Sequence, residues 1–355
     1  MDTTQSTTAP IRVGIIGATG YVGGELIRLL SAHPAIKVVG LTGRERQGDH
    51  VGIVHPHLAT TAHTLASELD GDVDAVFLAL PHGTAAERAP ALLEQGITVI
   101  DQGPDFRLSN AADYPDWYGF EHPHPELLGR AIYGLPELHR ADLLAAGVAR
   151  AAGTPALVGS PGCYPTATIL ALAPLARAGL IADVVVDAKS GVSGAGRGAK
   201  AEMGFAEVNE SVRAYGVPTH RHTPEIAQGL ADLGARSPRL TFAPHLVPMT
   251  RGLIATCYAT LRPNVTAGEV AEAYAHEYAE EPFVRVTASF PPTKATLGSN
   301  WCLVHATVDE ANHRLVAVGV LDNLVKGAAG SAIQNMNAAL GLPETLGLEA
   351  LPLWP

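Results

Sequence analysis

Cysteine is scarce in this chain: three in 355 residues, Cys163, Cys257 and Cys302, odd in number and far apart. No C-x-x-C pair occurs, so neither a disulfide framework nor a thiolate metal site is indicated, and a reducing cytoplasm is the expected compartment. Positive charge is also short. Lys and Arg total 24 against 35 Asp and Glu, a formal net charge of −11. That balance argues against nucleic acid as a partner, because phosphate neutralisation needs an excess of cations. A small anionic substrate needs only two or three well-placed ones. Long apolar runs are missing too. "ILALAPLARAGLIA" is broken by Pro174 and Arg177 and is too short for a bilayer. "MDTTQSTTAPIRVGIIG" lacks the basic start and apolar stretch of a secretory leader, so no membrane or export role is expected. No internal repeat or low-complexity block is visible.

What is present describes a folded protein: 47% hydrophobic and 17% charged residues, with a length that favours two domains. Residues 1–10 read as a loose tail. "IRVGIIG" reads as a buried strand, and "ATGYVGGELIRLLSAHP" as a turn and amphipathic helix with Val22, Leu26, Leu29 and Leu30 on one face and Pro34 as its stop. "IKVVGLTG", "DAVFLALPHG" and "ITVIDQG" are further strands, with helical "TAAERAPALLEQG" between the last two. This alternation predicts an α/β, Rossmann-like, doubly wound parallel sheet over 1–162. After Cys163 strand-like segments run consecutively, from "ADVVVDAKSGVSGAGRG" to "HRLVAVGVLDN", with the helix "AGEVAEAYAHEYAE" among them. They predict an α+β domain with a mixed or antiparallel sheet over 163–325. "LVKGAAGSAIQNMNAALG" predicts one long helix, and 326–355 is expected to return to the first domain.

"GATGYVG" sets Gly17, Gly20 and Gly23 between a strand and a helix. Glycines there let the backbone turn tightly and approach a pyrophosphate seated on the helix N-terminus. The spacing is G-x-x-G-x-x-G rather than G-x-G-x-x-G, so its context carries more weight than the triplet. An NAD site usually ends its second strand in Asp or Glu. Here "LTGRERQG" offers Thr42 and Arg44, with Arg46 as a second cation, which suits a 2′-phosphate and predicts NADP(H). A solvated polar loop is the plainer reading of those arginines.

"GSPGCYP" places Cys163 just past a Pro161-Gly162 turn, ahead of the helical "TATILALAPLARAG". A thiol there is either a small core residue or a nucleophile whose pKa the helix terminus lowers. A nucleophile wants a base, and His220 and His222 of "THRHTPEI" are the candidates. As a metal pair they lack completing ligands. Cys257 and Cys302 fall inside strand patterns and read as structural. "KSGVSGAGRGAK" offers Lys189, Ser193, Arg197 and Lys200 among free backbone N–H groups, an anion cradle or a plain surface loop, and "MTRG" adds Arg251. A thiol beside NADP and anion-binding groups can take an acyl group from an acyl phosphate as a thioester, which hydride transfer converts to an aldehyde.

"GATGYVGGELIRLL", "VGSPGCYPTATILALAP", "HRHTPEI", "HLVPMTRG" and "DNLVKGAAG", in that order from Ile11 to about Leu342 and with the second the sharpest, resemble the N-acetyl-gamma-glutamyl-phosphate reductase family, NADP-dependent enzymes of arginine biosynthesis related to aspartate-semialdehyde dehydrogenase. The resemblance implies that Cys163 forms the thioester and that a histidine of "HRHTPEI", here His222, is the acid/base. It places Gly17, Thr19, Gly20, Tyr21, Val22, Gly23, Thr42, Arg44, Pro81, Ser193, Gly194, Asn323 and Lys326 at the cofactor. Ser160, Arg107, Ser193, Arg197, His220, Glu225 and Arg251 are placed at the substrate or its phosphate. Inorganic phosphate is the co-product, no metal is implied, and a homodimer or homotetramer is expected. The chain departs from the family pattern at Gln102-Gly103-Pro104, before the retained Asp105-Phe106-Arg107, and at Ser331, where a glutamine is common. Rival readings are a sister reductase of aspartyl phosphate or carrier-bound aminoadipyl phosphate, and a silent NADP-binding regulator. Rapid alkylation of Cys163 at neutral pH would speak against the regulator.

Overall fold

A computed structural model describes residues 9–198, 201–235 and 239–355. Lys200 of the glycine-rich segment therefore lies outside the described residues. Short β-branched runs form the first sheet: β1 (Ile11–Ile16), β2 (Ile36–Thr42), β3 (Ala75–Leu78), β4 (Thr98–Asp101), β5 (Ile132–Tyr133) and β6 (Leu157–Gly159). They pair in parallel in the order β2-β1-β3-β4-β6-β5. The order reverses at β1, so the crevice at the carboxyl ends of β1 and β3 is where such a sheet takes a ligand. Helix Tyr21–Leu30 leaves that edge and buries Leu26, Ile27, Leu29 and Leu30 against Val13 and Ile15 of β1.

The second sheet is mixed, ordered β11-β12-β13-β10-β7-β9-β8, from β7 (Ile181–Gly191), β8 (Arg213–Ala214), β9 (Leu240–Val247), β10 (Leu253–Leu261), β11 (Val284–Val286), β12 (Cys302–Asp309) and β13 (Arg314–Leu321). Only β7–β9 and β11–β12 pair in parallel among these strands. Helix Cys163–Arg177 lies on one face of this sheet, with every residue from Tyr164 to Ala176 buried, as an all-round apolar helix must be. Its approach is so close that a Cβ on Gly319 would come within 2.2 Å of the Ala167 carbonyl oxygen. Pro165 is tolerated because its missing N–H falls in the first turn, where no intrahelical acceptor exists. Cys257 and Cys302 are buried in this core and read as structural.

After β13 the chain turns back. The expected single long helix is instead a π-turn, Val325–Ala329, followed by helix Gly330–Ala339. Close contacts fall at its glycines: added Cβ atoms would meet Cys163 Cβ at 2.7 Å from Gly327 and Asn300 Oδ1 at 2.3 Å from Gly330. Ser331 donates from its hydroxyl to the Lys326 carbonyl at 2.6 Å, satisfying an acceptor within the widened turn. Val325, Ala329, Ala332, Ile333 and Met336 then join the core of the first sheet.

Lys326 does not reach the cofactor cleft. Its ammonium is fully buried, 2.5 Å from Glu137 and 2.7 Å from Gln334 Oε1, over the ring of Phe283. A charge without water needs such partners, and Glu137 supplies the counter-charge from helix Pro136–Ala151. Lys326→Met therefore leaves a buried carboxylate unpaired and should destabilise the fold by about 3–5 kcal/mol in urea unfolding, whereas Lys326→Met with Glu137→Leu should recover most of it. A loss below about 1 kcal/mol would show that Glu137 is not held in ionised form.

Candidate active site

The glycine loop is built by steric need. Gly17 has φ +93°, and a Cβ there would sit 2.2 Å from the Ala79 carbonyl oxygen; one on Gly23 would sit 2.7 Å from the Gly17 carbonyl oxygen. Gly20, by contrast, would bring an added Cβ only to an ordinary 3.8 Å from the Gly17 carbonyl oxygen, and it serves as N-cap of helix Tyr21–Leu30 without a side-chain cap. The first-turn N–H groups are thus left for a ligand, which is what a pyrophosphate requires. A cavity of about 490 Å³ runs from Gly20, Tyr21, Val22 and Gly23 past Ser193, Gly194, Arg197 and Asn323 to Cys163, His220, His222 and Arg107. Its size is that of an ordinary ligand site. Asn323 accepts from the Gly252 N–H at 2.8 Å and donates to Ser193 Oγ at 2.9 Å, fixing one wall.

Several expected cofactor residues stand behind this wall or away from it. Gly17, Thr19 and Pro81 do not line the cavity. The Thr19 carbonyl accepts from Arg197, whose guanidinium lies over the Tyr21 ring. Thr42 is buried, and its hydroxyl accepts from the Gly17 N–H at 3.4 Å. Arg44 pairs with Glu68 at 3.3 Å and Arg46 with Asp49 at 2.6 Å, both on the surface. Lys189 is likewise occupied by Asp187 rather than free to cradle an anion.

Cys163 is the first residue of its helix, after N-cap Gly162. The expectation that this position lowers the thiol pKa is not met: burial pushes it up to about 11, against the pull of Arg107 and of the Tyr164 N–H. Desolvation outweighs the helix terminus, so the resting thiol is protonated at neutral pH. His222, the expected base, lines the same cavity. His222 opens helix His222–Asp232, and its imidazole presses on the Pro-Gly turn so tightly that a Cβ on Gly162 would meet Nε2 at 2.4 Å. Glycine at 162 is therefore a condition for the histidine to sit against this turn. Burial, then His220 and Arg107, hold the His222 pKa well below its ordinary value, leaving a neutral imidazole that accepts a proton. Its Nδ1 is buried without a partner. His220 accepts the His222 backbone N–H on Nδ1 at 3.1 Å, which puts its own proton on Nε2; burial and then Arg221 bring its pKa to about 4.

One turn along the same helix, Glu225 locks the turn from behind. Its Oε1 accepts from the Gly162 N–H at 2.8 Å and the Tyr133 hydroxyl at 2.9 Å, and its Oε2 lies 3.6 Å from Arg107. Burial pushes its carboxyl upward while Arg107 opposes. Glu225 does not itself line the cavity; its contacts hold the Gly162 turn and Arg107. Ser160 is also behind the wall: its hydroxyl accepts from Gln102 and its carbonyl from Arg107 Nε at 2.7 Å. Arg251 leaves the thiol site altogether, pairing with Glu25 at 2.8 Å and Asp322 at 3.6 Å, so its charge is matched across the two domains. Sequence reasoning passed over Gln102, His82, Tyr215 and Arg221, all cavity-lining. His82 follows the carboxyl end of β3 and Arg221 lies between the two histidines, positions that did mark them.

This arrangement defines a class: a two-domain dehydrogenase with a nucleotide crevice opening onto a cysteine at a helix start. The semialdehyde dehydrogenase NAD-binding domain family matches residues 12–146, and the semialdehyde dehydrogenase dimerisation domain family matches 163–323. Aspartate semialdehyde dehydrogenase II from Vibrio cholerae, complexed with ASA, shares the fold at TM-score 0.70 and 18% identity over 94% of this chain and 99% of that one. The NADP-bound aspartate semialdehyde dehydrogenase from Candida albicans does so at 0.68 and 16%, over 95% and 100%. Closer in sequence are N-acetyl-gamma-glutamyl-phosphate reductases: 49% identity over 346 residues in Dehalococcoides mccartyi strain BAV1, covering 97% of this chain and 99% of that protein, and 48% over 355 residues in Symbiobacterium thermophilum, with the same coverage. The chain belongs to the N-acetyl-gamma-glutamyl-phosphate reductase family, and it is an oxidoreductase of the acyl-phosphate-reducing kind. Among the described residues no helix is long and apolar enough to cross a membrane, and no group of three or more His, Cys, Asp or Glu could hold a metal.

Proposed function

We propose that the protein reduces N-acetyl-L-glutamyl 5-phosphate with NADPH to N-acetyl-L-glutamate 5-semialdehyde, releasing phosphate, through a thioester on Cys163. The observation that carries this reading is the seat of His222 against Gly162, next to a protonated thiol, in the cavity that opens at its other end on the uncapped Gly20 helix. Neutral His222 takes the Cys163 proton as Sγ attacks the acyl carbon, and the C–O bond to phosphate breaks. Arg107, fixed by the Ser160 and Gln102 carbonyls, supplies positive charge near the sulfur as negative charge develops. A dinucleotide held by Gly20–Gly23, with Ser193 and Asn323 on the facing wall, supplies hydride to the thioester when bound. His222 returns its proton to the resulting oxygen anion, and the hemithioacetal then collapses to aldehyde and thiol.

For the 2′-phosphate of NADP, the reading rests on β2 ending in Thr42 rather than in Asp or Glu, with Arg44 just beyond it; Arg44 would exchange Glu68 for the phosphate. A homodimer or homotetramer through the second sheet fits the dimerisation-domain match and the exposed Val185 on β7. Three free cysteines fit a cytoplasmic enzyme. The reverse reaction tests the proposal. NADP and N-acetylglutamate semialdehyde should give NADPH only when phosphate or arsenate is present, with NAD at least about 10-fold poorer in kcat/KM. Turnover of aspartate semialdehyde in preference to the N-acetylated aldehyde would replace the substrate, and equal use of NAD would replace the cofactor.

A further inference from the structure

Four arginines reach the thiol cavity: Arg107, Arg197, Arg213 and Arg221. Three have evident employment. Arg107 is buried, donates to two carbonyls and faces Glu225. Arg197 lies over Tyr21 at the cofactor end, and Arg213 is an exposed residue of β8 donating to the Glu202 carbonyl. Arg221 is different. Among the described residues no carboxylate lies within salt-bridge distance of it, and the groups that act on its charge are Arg107, Tyr118, Tyr215 and Cys163. Its Nη1 instead lies 2.5 Å from Nε2 and 3.0 Å from Nδ1 of His82, a residue of the first domain. Burial, then Arg221 and Arg107, bring the His82 pKa to about 4, so the ring is neutral. It orients the guanidinium without cancelling its charge. The backbone is held as well: the Tyr118 hydroxyl donates to the Arg221 carbonyl at 3.3 Å, and the next residue is His222 itself.

We propose that Arg221, steered by His82, is the receptor for the α-carboxylate of the N-acylated substrate and sets the preference for a substrate that carries one. The inference rests on the functional reading above and adds to it the group that reads the far end of the substrate. Once the acyl carbon is at Cys163 Sγ, the phosphate is bonded directly to that carbon, in the field of Arg107, the cation that acts most on the thiol. The α-carboxylate is four carbon–carbon bonds away and needs a second cation, unpaired and facing the same cavity. Arg221 meets that requirement, and its planar fork can grip a carboxylate with two hydrogen bonds. Because Arg221 and His82 come from different domains, a substrate bound there also bridges the cleft.

The test uses the phosphate-dependent oxidation of two aldehydes, N-acetylglutamate semialdehyde and 4-acetamidobutanal, which is the same molecule without its carboxylate. Wild-type enzyme should favour the first by about 100-fold in kcat/KM. In Arg221→Gln that preference should fall below about 5-fold, through KM for the carboxylated aldehyde, with KM for phosphate unchanged and NADPH binding intact as evidence of folding. Arg221→Lys should keep part of the preference, since it keeps the charge and loses the fork. An undiminished preference in Arg221→Gln overturns the inference alone, as does a rise in the phosphate KM in place of the aldehyde KM. Failure of the wild-type enzyme to oxidise N-acetylglutamate semialdehyde overturns the functional reading, and this inference with it.

Discussion

Cys163→Ser should abolish phosphate-dependent turnover, by on the order of 10⁴-fold or more in kcat/KM, while binding NADPH as tightly as the wild type. The two halves of this expectation have separate structural grounds. In the proposed reading dinucleotide binding depends on the Gly17–Gly23 loop and the Ser193–Asn323 wall, whose two side chains hydrogen-bond to one another and not to the sulfur. Chemistry depends on a sulfur that can become an acyl carrier. A serine hydroxyl in the same half-buried place, in a cavity with the same weakly basic histidine, is far harder to ionise than a thiol already pushed up to about 11. The direct check is the intact mass of wild-type enzyme mixed with NADP and N-acetylglutamate semialdehyde in the absence of phosphate. An N-acetylglutamyl adduct should accumulate on the wild type, discharge on adding phosphate, and be missing from the variant. A variant that still carries the adduct would place the thioester on another cysteine, although Cys257 and Cys302 are both wholly buried in the second core.

His222→Asn should lower kcat/KM at pH 7 by about 10²- to 10⁴-fold, and the loss should shrink as the pH rises. The direction follows from the two shifts. With the thiol pKa raised to about 11, its thiolate fraction at neutral pH is very small and grows tenfold per pH unit until about pH 10. With the His222 pKa held well below 6.5, the imidazole stays neutral from about pH 6.5 upward and can accept the thiol proton throughout that range. The wild type should therefore be nearly flat between pH 7 and 9, falling only as acid protonates His222. The variant has no such acceptor, so its rate should climb with unit slope as the thiol ionises unaided. His220→Asn should cost much less, because His220 contributes an acceptor to the His222 backbone rather than a ring next to Gly162. A constant deficit at every pH in His222→Asn would mean the histidine positions substrate instead of moving a proton. The same reasoning extends to alkylation: in His222→Asn, iodoacetamide should label Cys163 slowly at pH 7 and about tenfold faster for each unit above it, whereas the wild-type labelling rate should change little between pH 7 and 9.

Much of the plan was legible in the chain. The buried run of β1, the glycines beyond it and the amphipathic Tyr21–Leu30 helix are encoded by neighbours in sequence, and periodicity and turn chemistry report on neighbours. The helix read from "AGEVAEAYAHEYAE" and the largely apolar helical run behind Cys163 are of the same local kind. So too was the suspicion attached to "GSPGCYP" and "HRHTPEI", since a thiol at a turn and a paired histidine loop are short patterns. Helix Pro136–Ala151 and the short strands β5 and β6 went unread: the helix is weakly amphipathic, with only Pro136, Glu137 and Leu143 buried, and β5 and β6 have two and three residues.

The chain by itself determined the strand order of chemistry along its length: a dinucleotide loop, then a thiol, then a histidine pair, inside an α/β domain followed by a mixed-sheet domain. Only the tertiary structure decided which charges are spent and which remain. Lys326 meets Glu137 across 189 residues, Arg251 meets Glu25 across 226, and Arg221 meets His82 across 139. Nothing local foretells such partners. The same holds for the thiol, whose helix-start position argues for a low pKa until burial by the π-turn and the His222 loop raises it. Secondary structure follows from interactions a few residues apart, whereas the charge state of a buried group is set by the water it loses and by the opposite charges that distant segments bring to it.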